Sequence, residues 1–279
     1  MSKAALKCCN SVDFGLNSGE VTFQQFFVQP TLTLGDFSIF GADSFRLLAS
    51  TWKRRGLFLR QCNFIGVTSI TIVAVAAVFL GGVLGYQLYV SLHLFGAEAL
   101  LGGSVGVSLF RELGPVMASI MVTGRAGAAM AAELSTMRIT EQIDALEVMA
   151  VDPIEYLVVP RIVAGVLMMP ILGVFFSVVA SISAALIACS VMGLSYSTYW
   201  NQYTFVVDAI DVVHCVVKCS VFGLMFAWIG CFNGFNAHGG AQAVGVATRN
   251  TVVASCLSIL LSDYVLTSLL PFGHGSLIM

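Results

Sequence analysis

Charge is scarce in this sequence. Lysine and arginine together number 13 and aspartate and glutamate 15 among 279 residues, or 10% of the chain, whereas soluble domains average about a quarter. Hydrophobic residues make up 58%. This balance excludes an ordinary soluble domain and predicts an integral membrane protein. The net charge of −2 provides no basic field for nucleic acid.

The usual motifs of nucleotide, metal and redox sites are also missing. None of the four lysines follows a glycine, so the phosphate-binding motif G-x-x-x-x-G-K-[ST] is absent. The eight cysteines form no C-x-x-C pair, and the four histidines are scattered. We therefore expect no cofactor, no metal and no enzymatic activity of its own.

Long apolar runs are what the sequence has in abundance. A helix needs about 20 apolar residues to cross the hydrocarbon core, and five runs meet this length. They predict an all-α integral membrane protein with spans at approximately 64–89, 101–131, 162–191, 212–232 and 243–270.

Basic residues predict the orientation of these spans. They precede the first span and also lie between the midpoint of the second span and the midpoint of the third span. The segments 91–100 and 193–211 contain no lysine or arginine. The positive-inside rule then places the N-terminus and the segment 123–153 in the cytoplasm. Because the number of spans is odd, the C-terminus is expected on the opposite side.

The segment 35–60 precedes the spans and is amphipathic. Its large apolar residues recur at roughly helical spacing and a basic cluster follows them, which favours a helix lying in the membrane interface. An ordinary amphipathic helix packed on protein is the alternative. The predicted organisation is an extension of unknown role at 1–34, this interfacial helix at 35–60, a five-span domain at 61–272 and a tail at 273–279.

The segment 123–153 carries a short charged helix between two apolar spans. Thr140 is a candidate N-cap, Ile143 and Leu146 fall on one side of the helix with Met149, and acids occupy other faces. Asp152 precedes a proline and ends the helix. Such a helix suits a groove on a soluble partner, or it folds back on its own bundle.

Four ionisable residues lie inside the predicted spans: Arg111, Glu112, Lys218 and Asp263. Each costs about 2.5 kcal/mol or more in lipid, so each should face a partner charge or a cavity. Pro115 follows the first pair and favours a kink. The set is either a fixed ion-pair network or a polar cavity for a charged headgroup.

Glycines spaced four apart lie in the first two spans, and such spacing lets helix backbones approach closely. The pairs are Gly81 with Gly85 and Gly102 with Gly106. They predict either a dimer contact or close packing within one chain.

One long stretch carries a resemblance to a known family. The sequence "LFRELGPVMASIMVTGRAGAAMAAELSTMRITEQIDALEVMAVDP", with "FNGF" and "SDYVLTSLL" further on, resembles the MlaE-type permeases, which are subunits of ABC transporters that move phospholipids between bacterial membranes. The resemblance covers about 35–272.

The resemblance implies a homodimer in the bacterial inner membrane with a periplasmic C-terminus. It implies a cytoplasmic ABC ATPase, a STAS-domain protein and an MCE-domain protein as partners, with phospholipid in a cavity between protomers. The residues it places near that cavity are Arg111, Glu112, Lys218, Asp263 and Tyr89. The coupling segment that it places on the ATPase includes Glu133, Glu141, Gln142, Asp144, Leu146 and Glu147. A non-transporting membrane scaffold or receptor that recruits a soluble partner is the alternative function.

Overall fold

The computed structural model describes residues 55–237 and 239–269, and these are helical with no strand among them. Five helical stretches are long and apolar enough to cross a membrane. They are Gly56–His93, Glu98–Ile139, Ile154–Val191, Ala209–Phe235 and Ala241–Leu269. The prediction of an all-α protein with five spans is therefore confirmed.

Most spans are built from more than one helical element. The α-helices are α1 Arg55–Ile65, α2 Ile70–His93, α3 Leu101–Ser108, α4 Gly114–Val122, α5 Ala128–Ile139, α6 Gln142–Val148, α7 Val159–Leu186, α8 Tyr196–Val206, α9 Ala209–Phe235 and α10 Ala241–Leu269. Wider π-helical turns interrupt the second span at Leu109–Leu113 and Thr123–Gly127. Such turns redirect side chains within a continuous helix.

Two connections define the two sides of the bundle. The short helix α6 joins the second and third spans, and α8 joins the third and fourth. We refer to these as the α6 side and the α8 side. The helix α8 was not predicted, because the sequence around it was notable only for its lack of basic residues.

The third span lies at the centre, with α7 packed along both α2 and α9. Small residues permit this approach: a Cβ added at Gly81 would lie 2.2 Å from the Ala180 carbonyl oxygen, and one at Gly85 would lie 2.9 Å from the Ala184 Cα. Neither glycine tolerates a side chain without moving the neighbouring backbone.

The second glycine pair packs in the same way against α8 and the residue after it. A Cβ at Gly102 would lie 2.1 Å from the Tyr199 carbonyl oxygen, and one at Gly106 would lie 2.4 Å from the Val207 side chain. All four glycines are thus buried against their own chain. These contacts favour close packing within one chain, and the dimer contact stays a prediction.

Two tyrosines fix α8 to the central span. The Tyr199 hydroxyl donates to the Ser181 carbonyl at 3.2 Å, and the Tyr203 hydroxyl donates to the Ser181 hydroxyl at 3.3 Å. Burial raises the pKa of Tyr199, so its hydroxyl remains a donor across the physiological pH range.

The predicted extension at 1–34 and tail at 273–279 lie outside the described residues, as does most of the predicted interfacial helix. Only its last residues, 55–60, are described, and they begin α1. The interfacial assignment and the domain boundaries therefore stay predictions.

Candidate functional site

The π-helical turn Leu109–Leu113 presents the first charged pair, Arg111 and Glu112. In an α-helix the Arg111 carbonyl would accept from the N–H of residue 115, which is proline and has none. Lys218 Nζ, from α9, donates to this carbonyl at 2.8 Å. The proline thus leaves a polar backbone group in the bundle, and a lysine of another span satisfies it.

Lys218 brings together three spans. Besides the Arg111 carbonyl, its ammonium group lies 2.9 Å from Glu112 Oε2, 2.9 Å from Asp263 Oδ1 and 2.8 Å from Thr267 Oγ1. The Thr267 hydroxyl also contacts the two Glu112 oxygens, at 3.2 and 3.3 Å. The predicted residues of the second, fourth and fifth spans are therefore one cluster.

Arg111 is paired separately with a residue that was not predicted. Its Nε donates to Asp211 Oδ1 at 2.5 Å. The other Asp211 oxygen accepts from the Asp208 N–H at 3.1 Å, which completes a capping box at the start of α9. The pattern D-x-x-D before an apolar run could have revealed this cap, since a side chain three residues into a helix reaches back to the N-cap backbone.

We call Arg111, Glu112, Asp211, Lys218 and Asp263 the charged cluster. Its members differ in exposure: the side chains of Asp211 and Lys218 are 0% and 2% exposed, and that of Glu112 is 40% exposed. Two cations and three carboxylates give a formal charge of −1 when all are ionised. Glu112 is the most exposed of the three carboxylates.

Among the described residues, Tyr89 contacts Met192 and His93 and no member of the charged cluster. Its hydroxyl donates to the Met192 carbonyl at 3.2 Å, and its ring stacks on His93 with 5.8 Å between centroids. The hydrogen bond holds the end of α2 to the end of the third span, and the ring stacking lies within α2. A role for Tyr89 in a lipid cavity stays a prediction.

A second polar region lies on the α6 side. Arg161, which is 2% exposed, donates to Glu133 Oε2 at 2.8 Å and to the Leu157 carbonyl at 2.9 Å. Arg138 donates to Asp144 Oδ1 at 2.7 Å, which joins α5 to α6. These pairs connect the ends of the second and third spans to the short helix between them.

The helix α6 begins differently from the prediction. Thr140 does not cap it, because its hydroxyl donates to the Thr136 carbonyl within the preceding helical turn at 2.8 Å. The N-cap is Glu141, which adopts a left-handed backbone with φ of 58°. Few non-glycine residues adopt this conformation, and it gives the chain a sharp turn between α5 and α6.

The apolar side of α6 is divided between the bundle and the surface. Ile143 is fully buried and Leu146 is half-buried against the core, whereas Val148 and Met149 are 87% and 65% exposed. Gln142 and Glu133 line an open cleft of about 440 Å³ between α5 and α6. The helix therefore folds onto its own chain and leaves an apolar end exposed, and its docking on a soluble partner stays a prediction.

The profile of the family described as Permease MlaE matches residues 58–269. The chain belongs to the MlaE permease family. The match covers every described site residue, from Tyr89 to Asp263.

Several relatives of this MlaE family member match most of its length. A probable ABC transporter permease protein of Rickettsia felis is 38% identical over 85% of this chain and 92% of its own length. A probable ABC transporter permease protein of Synechocystis is 38% identical over 86% and 90%. The intermembrane phospholipid transport system permease protein MlaE of Haemophilus influenzae is 37% identical over 80% and 85%.

These relatives confirm the resemblance that the sequence predicted. They are permease subunits of transporters, so this MlaE family member is a transporter subunit and not itself an enzyme. The five apolar helices make it a multi-pass membrane protein.

Proposed function

We propose that this chain is the membrane-spanning subunit of an ABC transporter that moves phospholipid between the bacterial inner and outer membranes. The observation that carries the proposal is the charged cluster, which joins three spans next to exposed apolar helix faces. A phospholipid combines a charged headgroup with apolar chains, so it matches such a site. The named function of the Haemophilus relative supports the same substrate.

The chain works as a homodimer in the inner membrane, with the α6 side in the cytoplasm. Arg125, Arg138 and Arg161 lie toward this side, whereas no basic residue occurs in 193–211 on the other, as the positive-inside rule requires. The C-terminus is then periplasmic. Transport also involves an MCE-domain protein on the periplasmic side and a STAS-domain protein in the cytoplasm.

ATP is hydrolysed by a separate cytoplasmic subunit, which docks on α6. The exposed Val148 and Met149 provide apolar contacts, and Glu141 and Glu147 surround them with acidic charge. Because Ile143 is buried in the bundle, a force on the exposed end of α6 is transmitted to the spans. The cleft with Glu133 and Gln142 extends this surface.

The test is reconstitution of the chain with its ATPase and MCE-domain partners in donor vesicles. Transfer of a fluorescent phospholipid to acceptor vesicles should require ATP and should stop when the ATPase carries an inactive nucleotide site. Glu98→Gln is a suitable control, since Glu98 is paired with His93 and not with a member of the charged cluster. Partner binding without phospholipid binding or transfer would instead identify a scaffold.

A further inference from the structure

The hydrogen-bond donors and acceptors around Lys218 do not balance. The Lys218 ammonium group has three N–H donors and lies within hydrogen-bond distance of four acceptors. The Thr267 hydroxyl has a single proton to donate. It lies within hydrogen-bond distance of the Asp263 backbone carbonyl, at 2.9 Å, and of both Glu112 carboxylate oxygens. Donors are therefore fewer than acceptors around the two carboxylates.

The cations of the charged cluster are already engaged by protein. Lys218 is 2% exposed and surrounded by its four acceptors, and Arg111 donates to the fully buried Asp211. For a phosphate to approach Lys218, it would have to displace a carboxylate, and at either cation it would add negative charge to a site whose formal charge is already −1. Side-chain exposure in the site is greatest at Glu112, at 40%, followed by Arg111, at 21%, and Asp263, at 17%.

We propose that Glu112 and Asp263 bind the primary ammonium group of a phospholipid headgroup. The three N–H donors of such a group would supply the donors that the cluster lacks, and its positive charge would neutralise the excess carboxylate. This inference rests on the proposed function and specifies the headgroup class that the site favours.

The surroundings of the carboxylates fit a membrane lipid. Lys218 lies nine residues into α9 from Ala209, which is about 14 Å along a helix, so the site is within the span. The α10 residues near Asp263 expose large apolar side chains: Leu260, Leu261, Tyr264 and Val265 are 41–78% exposed. Acyl chains can lie on these side chains while the ammonium group reaches the carboxylates.

The proposal predicts an order among headgroups. Ethanolamine carries a charge and three N–H donors, choline carries the same charge without N–H donors, and glycerol carries neither. We expect ethanolamine lipid to be enriched over glycerol lipid by about tenfold, the lower end of what a hydrogen bond to a charged group contributes. Choline lipid should fall between them.

The experiment uses the full-length chain in its assembled transporter. The complex is reconstituted in vesicles with equal phosphatidylethanolamine, phosphatidylcholine and phosphatidylglycerol, extracted in mild detergent, and its bound lipids are quantified by mass spectrometry. Glu112→Gln keeps the side-chain shape and removes the charge, and should reduce the enrichment to about twofold or less. Asp263→Asn is the second variant, and Glu98→Gln is the matched control on the α8 side.

The outcomes separate this inference from the proposed function. Enrichment of the ethanolamine lipid in the wild-type complex and in Glu98→Gln, together with its loss in Glu112→Gln or Asp263→Asn, supports the inference. Bound lipid in the same proportions as the vesicles, or enrichment of phosphatidylglycerol, overturns the inference and leaves phospholipid transport standing. Absence of all bound phospholipid overturns both.

Discussion

Replacing Lys218 with methionine tests whether the charged cluster holds the spans together. Methionine has a similar length and no charge, so the change removes the cation and leaves the packing volume. Glu112 and Asp263 then face each other without a counter-charge, and the Arg111 carbonyl loses its lysine donor. The site changes from a formal charge of −1 to −2.

The structure sets the expected magnitude. Removing one partner of a buried ion pair costs about 3–5 kcal/mol, because the other charge remains buried. Asp263 meets this condition at 17% exposure, but Glu112 is 40% exposed, so water screens its share. We expect a loss of about 3 kcal/mol in the free energy of unfolding, which corresponds to about 6–12 °C in melting temperature for a chain of this size.

The assay is thermal unfolding of the full-length protein in mild detergent, followed by size-exclusion chromatography of the heated samples. The matched variant combines Lys218→Met with Glu112→Gln and Asp263→Asn, which removes the charges together. It should recover most of the lost stability, since no uncompensated carboxylate remains. Equal melting temperatures for Lys218→Met and the wild type, or no recovery in the triple variant, would refute the structural role of the pairs.

Three further predictions follow from contacts elsewhere in the bundle. Gly81→Ala should lower the melting temperature and the yield of folded protein, because its Cβ would meet the backbone of α7. Gly245→Ala is the control: it has open space around it and should be neutral or stabilise the protein by up to about 1 kcal/mol. Val148→Asp should weaken co-purification of the ATPase at least about fivefold without altering the melting temperature, because this side chain is 87% exposed. Arg125→Met should cost about 2 kcal/mol in unfolding free energy, measured in the same thermal assay, since it removes charged hydrogen bonds to the Phe64 carbonyl at 3.0 Å and the Ser69 hydroxyl at 2.8 Å.

The members of the charged cluster that sequence could identify are those deep inside apolar runs. Arg111, Glu112, Lys218 and Asp263 stand out because an isolated charge in lipid is costly, and the structure brings them together in one network. Asp211 escaped notice because it precedes the fourth apolar run, where an acid is expected to be solvated. Only the three-dimensional structure shows that the Asp211 side chain is fully buried at this helix start.

The glycine pairs show where sequence reasoning stops. A small residue every fourth position indicates that a backbone approaches closely, and this part was correct for Gly81 and Gly85, which lie against α7. The spacing contains no information on whether the approaching helix belongs to the same chain. Here the approaching helix is α7 of the same chain, whose small residues Ala180 and Ala184 lie against these glycines.

The apolar side of α6 was predicted as a single face because the periodicity was counted from Thr140. The left-handed residue Glu141 redirects the chain instead, and a helix of seven residues makes only about two turns. Its first apolar residue, Ile143, therefore enters the bundle, while Met149, predicted on the same side, lies just beyond the end of the helix and is 65% exposed. Hydrophobic periodicity does not reveal such a division within one short helix.

The second span is the one whose position is most strongly specified by polar contacts. Apolar surface gives little preference for one neighbour over another inside a bilayer, so hydrogen bonds and close packing select which helices pair. Glu112 meets α9, Arg125 meets the broken first span and Glu133 meets Arg161 of α7. Each of these contacts requires a particular side chain at one position along the second span. We therefore expect substitutions of these polar residues to be costly, because here the sequence must specify partners that hydrophobicity alone leaves open.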